Sequence, residues 1–189
     1  MVFRRTRSYG DDDVDFRERE TLPMPKPSDD PEYYRTPPPP GRSRESTIVL
    51  GKDGKFQHDK EAVAHAKIGE ALHTWITRHP DDGRYILDNG YDWTYFTVED
   101  APFTVTAVSD DGEGFPVLVL SDGTEEPLGP KVRVGPADTL YVEVKRTSDR
   151  GPFEAKFSRH AQSQLGPYLV EDGRGIGVRG RTGVIPLAL

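Results

Sequence analysis

The chain has 189 residues, of which 34% are hydrophobic and 30% are charged, and its formal net charge is -7. This length suits one ordinary domain or two small halves that share a core, and the low apolar fraction predicts that part of the chain stays outside it. The negative charge argues against general nucleic-acid binding, because phosphate binding draws most of its free energy from basic residues. The lack of cysteine excludes disulfides, thiolate nucleophiles and cysteine-bound metals.

Neither end of the sequence suggests a membrane or export segment. The longest apolar run, at residues 115–120, is too short to cross a bilayer. The N-terminus is basic, but no apolar segment follows it, unlike in a secretory signal. We therefore expect a cytoplasmic protein that has neither a membrane nor a nucleic acid as its partner.

Residues 1–45 differ in composition from the rest of the chain. Prolines are dense, with four in a row at 37–40, and basic and acidic residues occur in nearly equal numbers. Such a sequence buries too little apolar surface to offset its chain entropy, so we predict a disordered tail. Residues 33–44 favour polyproline II. They form either a plain spacer or a segment that docks on a polyproline-recognising partner.

The folded part begins near residue 47. Residues 47–50 and 55–58 are rich in strand-forming side chains and flank Gly-Lys-Asp-Gly at 51–54, so they predict a hairpin. Asp-Gly pairs recur along the chain, and glycine supplies the positive φ that tight turns need. Short turns of this kind favour antiparallel pairing.

A helix is predicted over residues 59–79. Asp59 is a suitable N-cap and Pro80 ends the pattern. Side chains at helical spacing form one mostly apolar stripe, which predicts a buried face, whereas His73 falls on the polar side. The residues of the stripe are Ala64, His65, Ile68, Ala71, Leu72, Trp75 and Ile76.

The rest of the chain predicts strands and a second helix. Five segments are rich in β-branched and aromatic residues: 84–88, 92–98, 103–109, 115–121 and 139–146. A weaker helix capped by Ser158 is predicted over 157–172, and residues 175–189 predict one or two closing strands. This order of elements indicates an α+β fold with mostly antiparallel sheet.

Two motifs that could bind a cofactor or a metal lack the context they need. Residues 175–180 match Gly-x-Gly-x-x-Gly, but a dinucleotide site requires this loop to open a helix, and too few residues follow. His58, Glu61 and His65 are close in sequence without zinc-type spacing, and a Glu-His pair four residues apart can satisfy a half-buried imidazole. We therefore expect neither a cofactor nor a metal ion.

Three arginines cluster late in the chain. Arg174, Arg179 and Arg181 could receive a phosphate or a carboxylate in an otherwise acidic domain, or each could be solvated separately. The chain contains no Gly-x-Ser-x-Gly elbow, no P-loop and no spacing typical of a Ser/His/Asp triad. Basic residues alone do not decide between the two interpretations.

The sequence Glu-Asp-Ala-Pro at 99–102 interrupts two strand-like runs. Pro102 cannot donate to a sheet ladder and keeps the preceding residue extended, which predicts a corner that ends at Phe103. Asp100 would then accept hydrogen bonds from backbone amides of the turn. The alternative is an acid/base pair of Glu99 or Asp100 with His65. Adjacent residues on a strand point to opposite faces, which argues against a dyad of the two acids.

The string Val-Glu-Asp-Ala-Pro-Phe at 98–103 resembles the hallmark of the bacterial domain-of-unknown-function family 1285. The resemblance continues in the sequence at 54–59 and in the closing segment at 155–189, and covers about residues 48–189. It implies two small α+β halves, at 46–110 and 111–189, each a mostly antiparallel sheet curled around one helix. The family implies no established activity, and a signalling or regulatory role has been suggested for such folds.

From these features we expect a non-enzymatic cytoplasmic module that binds a small ligand or a protein partner in signalling or regulation. Two alternatives stay open. The first is a hydrolase-type enzyme that uses Glu99 or Asp100 with His65. The second is a scaffold that acts through its proline-rich tail.

Overall fold

The computed structural model describes residues 26–173 and 175–188. These residues form fifteen strands in two sheets, together with two short α-helices and a few 3-10 turns. Strands therefore dominate, and the α+β prediction holds in this coarse form. Of the predicted tail, residues 1–25 lie outside the described range.

The first sheet has six strands in the order β3-β2-β1-β6-β5-β4. They are β1 (Glu45–Leu50), β2 (Phe56–His58), β3 (Glu61–Ala62), β4 (Ile76–Arg78), β5 (Tyr85–Asp88) and β6 (Trp93–Val98). Strand β1 pairs antiparallel with β2 through the predicted hairpin and parallel with β6. The predicted strands at 84–88 and 92–98 correspond to β5 and β6.

The second sheet has nine strands in the order β13-β14-β15-β10-β11-β12-β7-β8-β9. They are β7 (Phe103–Asp110), β8 (Pro116–Leu120), β9 (Glu125–Pro127), β10 (Val132–Val134), β11 (Leu140–Val144), β12 (Phe153–Phe157), β13 (Leu169–Asp172), β14 (Gly175–Gly180) and β15 (Gly183–Ala188). The pairs β12–β7 and β10–β15 are parallel, and the other neighbours are antiparallel. Strands β9, β10, β12 and β13 were not predicted, and β13 lies in the segment where the second helix, 157–172, was predicted.

The helix predicted at 59–79 is wrong at both ends. Helix α1 covers only Ala66–Thr74. Asp59 and Lys60 have φ values of 52° and 67° and form the two-residue turn between β2 and β3, and the last residues of the predicted helix form β4 instead. A pair of left-handed residues is typical of a tight hairpin turn. Pairing in the sheet therefore outweighs the helical spacing of the side chains.

The stripe predicted for this helix is only partly buried. Leu72 and Ile76 belong to the core, whereas His65 is exposed and Ile68 is 51% exposed. His73, predicted on the solvated side, is half-buried, and its ring centroid lies 4.9 Å from that of Phe56. The helix thus turns a different face to the core than its spacing predicts.

The burial of His73 predicts a pH effect on stability. Burial lowers the pKa of this imidazole, and its backbone hydrogen bond with Gly54 opposes the shift only in part. The unfolded chain then binds this proton more readily, so stability should fall as the pH drops below about 6.5. Urea unfolding between about pH 7.5 and 5.5 should show this slope, and His73→Gln should reduce it. The exposed His65→Gln is the control, and an unchanged slope in His73→Gln would contradict the assignment.

Helix α2 (Arg159–Gln164) begins at its predicted cap. The Ser158 hydroxyl oxygen accepts a hydrogen bond from the Ala161 N–H at 3.1 Å. The helix ends after six residues because a Gly-Pro pair follows, and Gly166–Tyr168 forms a 3-10 turn before β13. In the parts of the chain that the structure covers, no helix has the length and apolar character needed to span a bilayer.

The two sheets share one core. Leu50 and Phe96 of the first sheet belong to the same buried cluster as Phe103 and Val105 of the second. The chain passes from one sheet to the other at residues 99–102, between β6 and β7. The division at 110–111 that the family resemblance implied falls between β7 and β8, and it stays a prediction.

Residues 26–44, here called the N-terminal strap, pack on the outer face of the first sheet. Tyr33 is 9% exposed and lies against Ile86 and Trp93. The hydroxyls of Tyr33 and Tyr34 donate to Asp88 at 3.3 and 2.6 Å. For these residues the structure differs from the predicted disordered tail. The first sheet carries apolar side chains on both faces, and the strap covers the face that the shared core leaves open.

Candidate functional site

The predicted corner joins the two sheets. Ala101, Pro102 and Phe103 are buried, so this short segment is anchored in the core. The Glu99 carboxylate accepts a hydrogen bond from the Lys52 N–H at 3.2 Å, in the turn between β1 and β2. Glu99 therefore ties the corner to the first sheet.

Asp100 ties the corner to the second sheet. Its carboxylate accepts hydrogen bonds from the Tyr141 hydroxyl at 3.1 Å and from the Lys156 ammonium at 2.9 Å. Lys156 also donates to the backbone carbonyl of Lys52. Burial and the neighbouring Asp100 raise the pKa of Tyr141, so its hydroxyl stays a donor. The structure thus gives Asp100 side-chain donors where the sequence predicted backbone amides of the turn.

His65 does not join these acids. It is exposed and precedes the first residue of α1, and no hydrogen bond or ion pair connects it to Glu99 or Asp100 among the residues described. Both carboxylates are already held by donors from the two sheets. These contacts favour a structural role for the corner, and the hydrolase alternative gains no support from them.

The histidine group is spread over a hairpin. His58 and Glu61 lie opposite each other on β2 and β3, and both are exposed, as is His65. Within residues 26–173 and 175–188, no group of three or more histidine, aspartate or glutamate side chains is placed to hold a metal ion.

Two of the three arginines lie within the described residues, and their surroundings differ. Arg181 makes ion pairs with Asp111 at 2.6 Å and Glu113 at 2.9 Å, whereas Arg179 is exposed on β14. Arg174 lies outside the described residues. The two carboxylates offset the charge of Arg181, and an anion patch of the three arginines stays a prediction.

A cavity of about 580 Å³ lies between α2 and the strands β13, β14 and β15. This volume is in the range of sites that hold a small molecule. Most of the lining is branched aliphatic or otherwise apolar, and two polar residues contribute to it. The lining residues are Val134, Asp138, Leu140, Gln162, Leu165, Leu169, Gly175, Ile176, Pro186 and Leu187.

The cavity has a buried base and an exposed apolar mouth. Leu140 and Leu165 are 6% and 1% exposed and belong to the core. Leu169 and Ile176, which also line the cavity, are 45% and 57% exposed. Large apolar side chains exposed around a concave surface are typical of a binding site. The sequence did not predict this site because its walls come from strands and a helix that are distant along the chain.

Comparisons with known proteins identify the fold. No family model and no curated protein matches the chain. The chain is similar to the crystal structure of a DUF1285 family protein from Silicibacter pomeroyi DSS-3, with a TM-score of 0.62 and 18% identity over 76% of this chain and 80% of that one. A DUF1285 family protein from Shewanella baltica OS155 gives a TM-score of 0.47 and 17% identity, over 62% and 87%. The similarity to the Silicibacter pomeroyi structure shows that this chain has the fold of a DUF1285 family protein.

Proposed function

We propose that the protein is a module that binds a small, largely aliphatic ligand in the cavity between α2 and β13–β15. The observation that carries this proposal is the cavity itself, with its apolar lining and its exposed apolar mouth. Burying an eight-carbon chain contributes about 6 kcal/mol before the costs of association. We therefore expect affinities in the millimolar range for simple ligands of this kind.

We further propose that ligand binding serves signalling or regulation in the cytoplasm. The corner supports this role, because Glu99 and Asp100 connect the first sheet to the second, which carries the cavity. A conformational change in the second sheet on ligand binding would then alter the local stability of the first sheet. Hydrogen exchange with and without ligand tests this: altered protection in β1 and β6 supports the coupling, and protection confined to β10–β15 contradicts it.

The binding proposal predicts which variants lose the ligand. Ile176→Glu places a carboxylate at the mouth, and because Ile176 is 57% exposed we expect the fold to be retained. An NMR titration with octan-1-ol should show shifts in α2 and β13–β15 of the parent protein, and the variant should bind at least about tenfold more weakly.

Val184→Glu is the matched control. Val184 is 47% exposed on β15, but it is not part of the cavity lining. Its substitution adds the same charge to the same part of the sheet and should leave octan-1-ol binding within about twofold. Equal losses in both variants, or no shifts at all in the parent protein, would contradict the proposed function.

A further inference from the structure

The loop at the rim of the cavity has an unusual backbone. Ala137 and Asp138 are consecutive left-handed residues, with φ values of 54° and 56°. This conformation is uncommon for residues other than glycine, and alanine has no side-chain oxygen to stabilise it. Such a loop keeps its shape only when neighbouring residues hold it in place.

Gln162 of α2 holds this loop. Its side-chain amide donates to the Asp138 backbone carbonyl at 2.7 Å, and its side-chain oxygen accepts from the Leu140 N–H at 3.3 Å. Both ends of the amide are therefore engaged with the backbone on either side of residue 139. Gln162 lines the cavity, and one donor and one acceptor of its amide are used to position the rim.

Asp138 is different, because its carboxylate is not used by the loop. Among the lining residues it is the one with a charged side chain, and no donor within the described parts of the chain bonds to its carboxylate oxygens. A carboxylate beside an aliphatic cavity is complementary to a ligand that has a cationic end and an aliphatic body. The same carboxylate disfavours a ligand whose head group is an anion.

We infer that the cavity selects an aliphatic ammonium ligand, whose ammonium group pairs with Asp138 while its chain lies among Leu140, Leu165 and Ile176. This inference rests on the proposed function, since it names the ligand class of the same cavity. The lining contains no aromatic side chain, so the carboxylate, and not a cation–π cage, supplies the recognition of positive charge. Gln162 holds the rim loop in place and thereby determines the position of the Asp138 carboxylate.

Three probes of equal chain length test the ligand class: octylammonium, octan-1-ol and octanoate, each titrated at neutral pH and followed by NMR. We expect octylammonium to bind about fivefold or more tightly than octan-1-ol, and octanoate to bind most weakly. Asp138→Asn should reduce octylammonium binding to the level of octan-1-ol and leave octan-1-ol binding within about twofold. Asparagine tolerates the left-handed backbone, so this variant should keep the loop.

Glu171→Gln is the control for general charge attraction, because Glu171 is an exposed acid on β13 outside the cavity lining. It should leave the preference for octylammonium unchanged. If the three probes bind with equal affinity, or if octanoate binds most tightly, the ammonium inference is wrong and the proposed function stands. If none of the three probes binds, both fail.

Discussion

Deletion of residues 1–44 is expected to lower the free energy of unfolding by about 3–5 kcal/mol. The strap covers Ile86 and Trp93, which are 0% and 5% exposed, and it buries Tyr33 against them. Each fully buried side chain of this size contributes about 1.5–3 kcal/mol. Urea unfolding should show the loss as a lower midpoint, and thermal unfolding should show a drop of at least about 6 °C. The composition of residues 1–45 alone predicts no such loss.

Point variants separate the strap from the rest of the deleted segment. Tyr34→Phe removes one hydroxyl, which donates to Asp88 at 2.6 Å, and should cost about 1.5–3 kcal/mol because the acceptor is charged. Burial and Asp88 raise the pKa of Tyr34 to about 12, so its hydroxyl remains a donor at neutral pH. Deletion of residues 1–25 is the control and should change the thermal midpoint by less than about 3 °C. If the protein without residues 1–44 is as stable as the full chain, the strap contributes nothing to the free energy of unfolding.

Asp100→Ala is expected to destabilise the protein by about 1–3 kcal/mol. Alanine removes the acceptor of the buried Tyr141 hydroxyl and one of the two acceptors of the Lys156 ammonium. The side chains of Asp100 and Lys156 are only 25% and 14% exposed, so water replaces the carboxylate poorly. Asp100→Asn keeps an oxygen that can accept from Tyr141 and should cost less than alanine. Equilibrium unfolding in urea measures both changes.

A double-mutant cycle with Lys156→Met isolates the ion pair, and we expect a coupling energy of about 1 kcal/mol. Glu154→Ala, on the same strand β12, is the matched control. The Arg133–Glu154 pair has side chains that are 48% and 43% exposed, so its loss should cost less than about 1 kcal/mol. If Asp100→Ala and Asp100→Asn are both as stable as the parent, the corner does not join the sheets in the way that its contacts indicate.

Local sequence determined several elements of this protein. Strands β7 and β11 are rich in β-branched and aromatic residues and β8 is almost entirely apolar, while the Gly-Lys-Asp-Gly sequence between β1 and β2 is typical of a hairpin turn. The cap at Ser158 is also local, because its hydroxyl reaches a backbone amide three residues later. Pro102 likewise fixes the break between β6 and β7 through its own backbone. Each of these features depends on residues that are close in sequence.

Tertiary structure decided the features that depend on distant partners. Residues 59–79 have helical spacing, but the segments on both sides of α1 pair as strands. The hydrogen bonds of the sheet and burial against it outweigh a weak local preference for helix. The two tyrosines of the strap lie in a segment of high average polarity, so composition does not indicate their burial. They are buried because they pack on the face of β5 and β6 that the shared core leaves open. The donors that reach Asp100 and the walls of the cavity come from strands far apart in the chain. Their positions follow from strand order, which single-residue patterns do not encode.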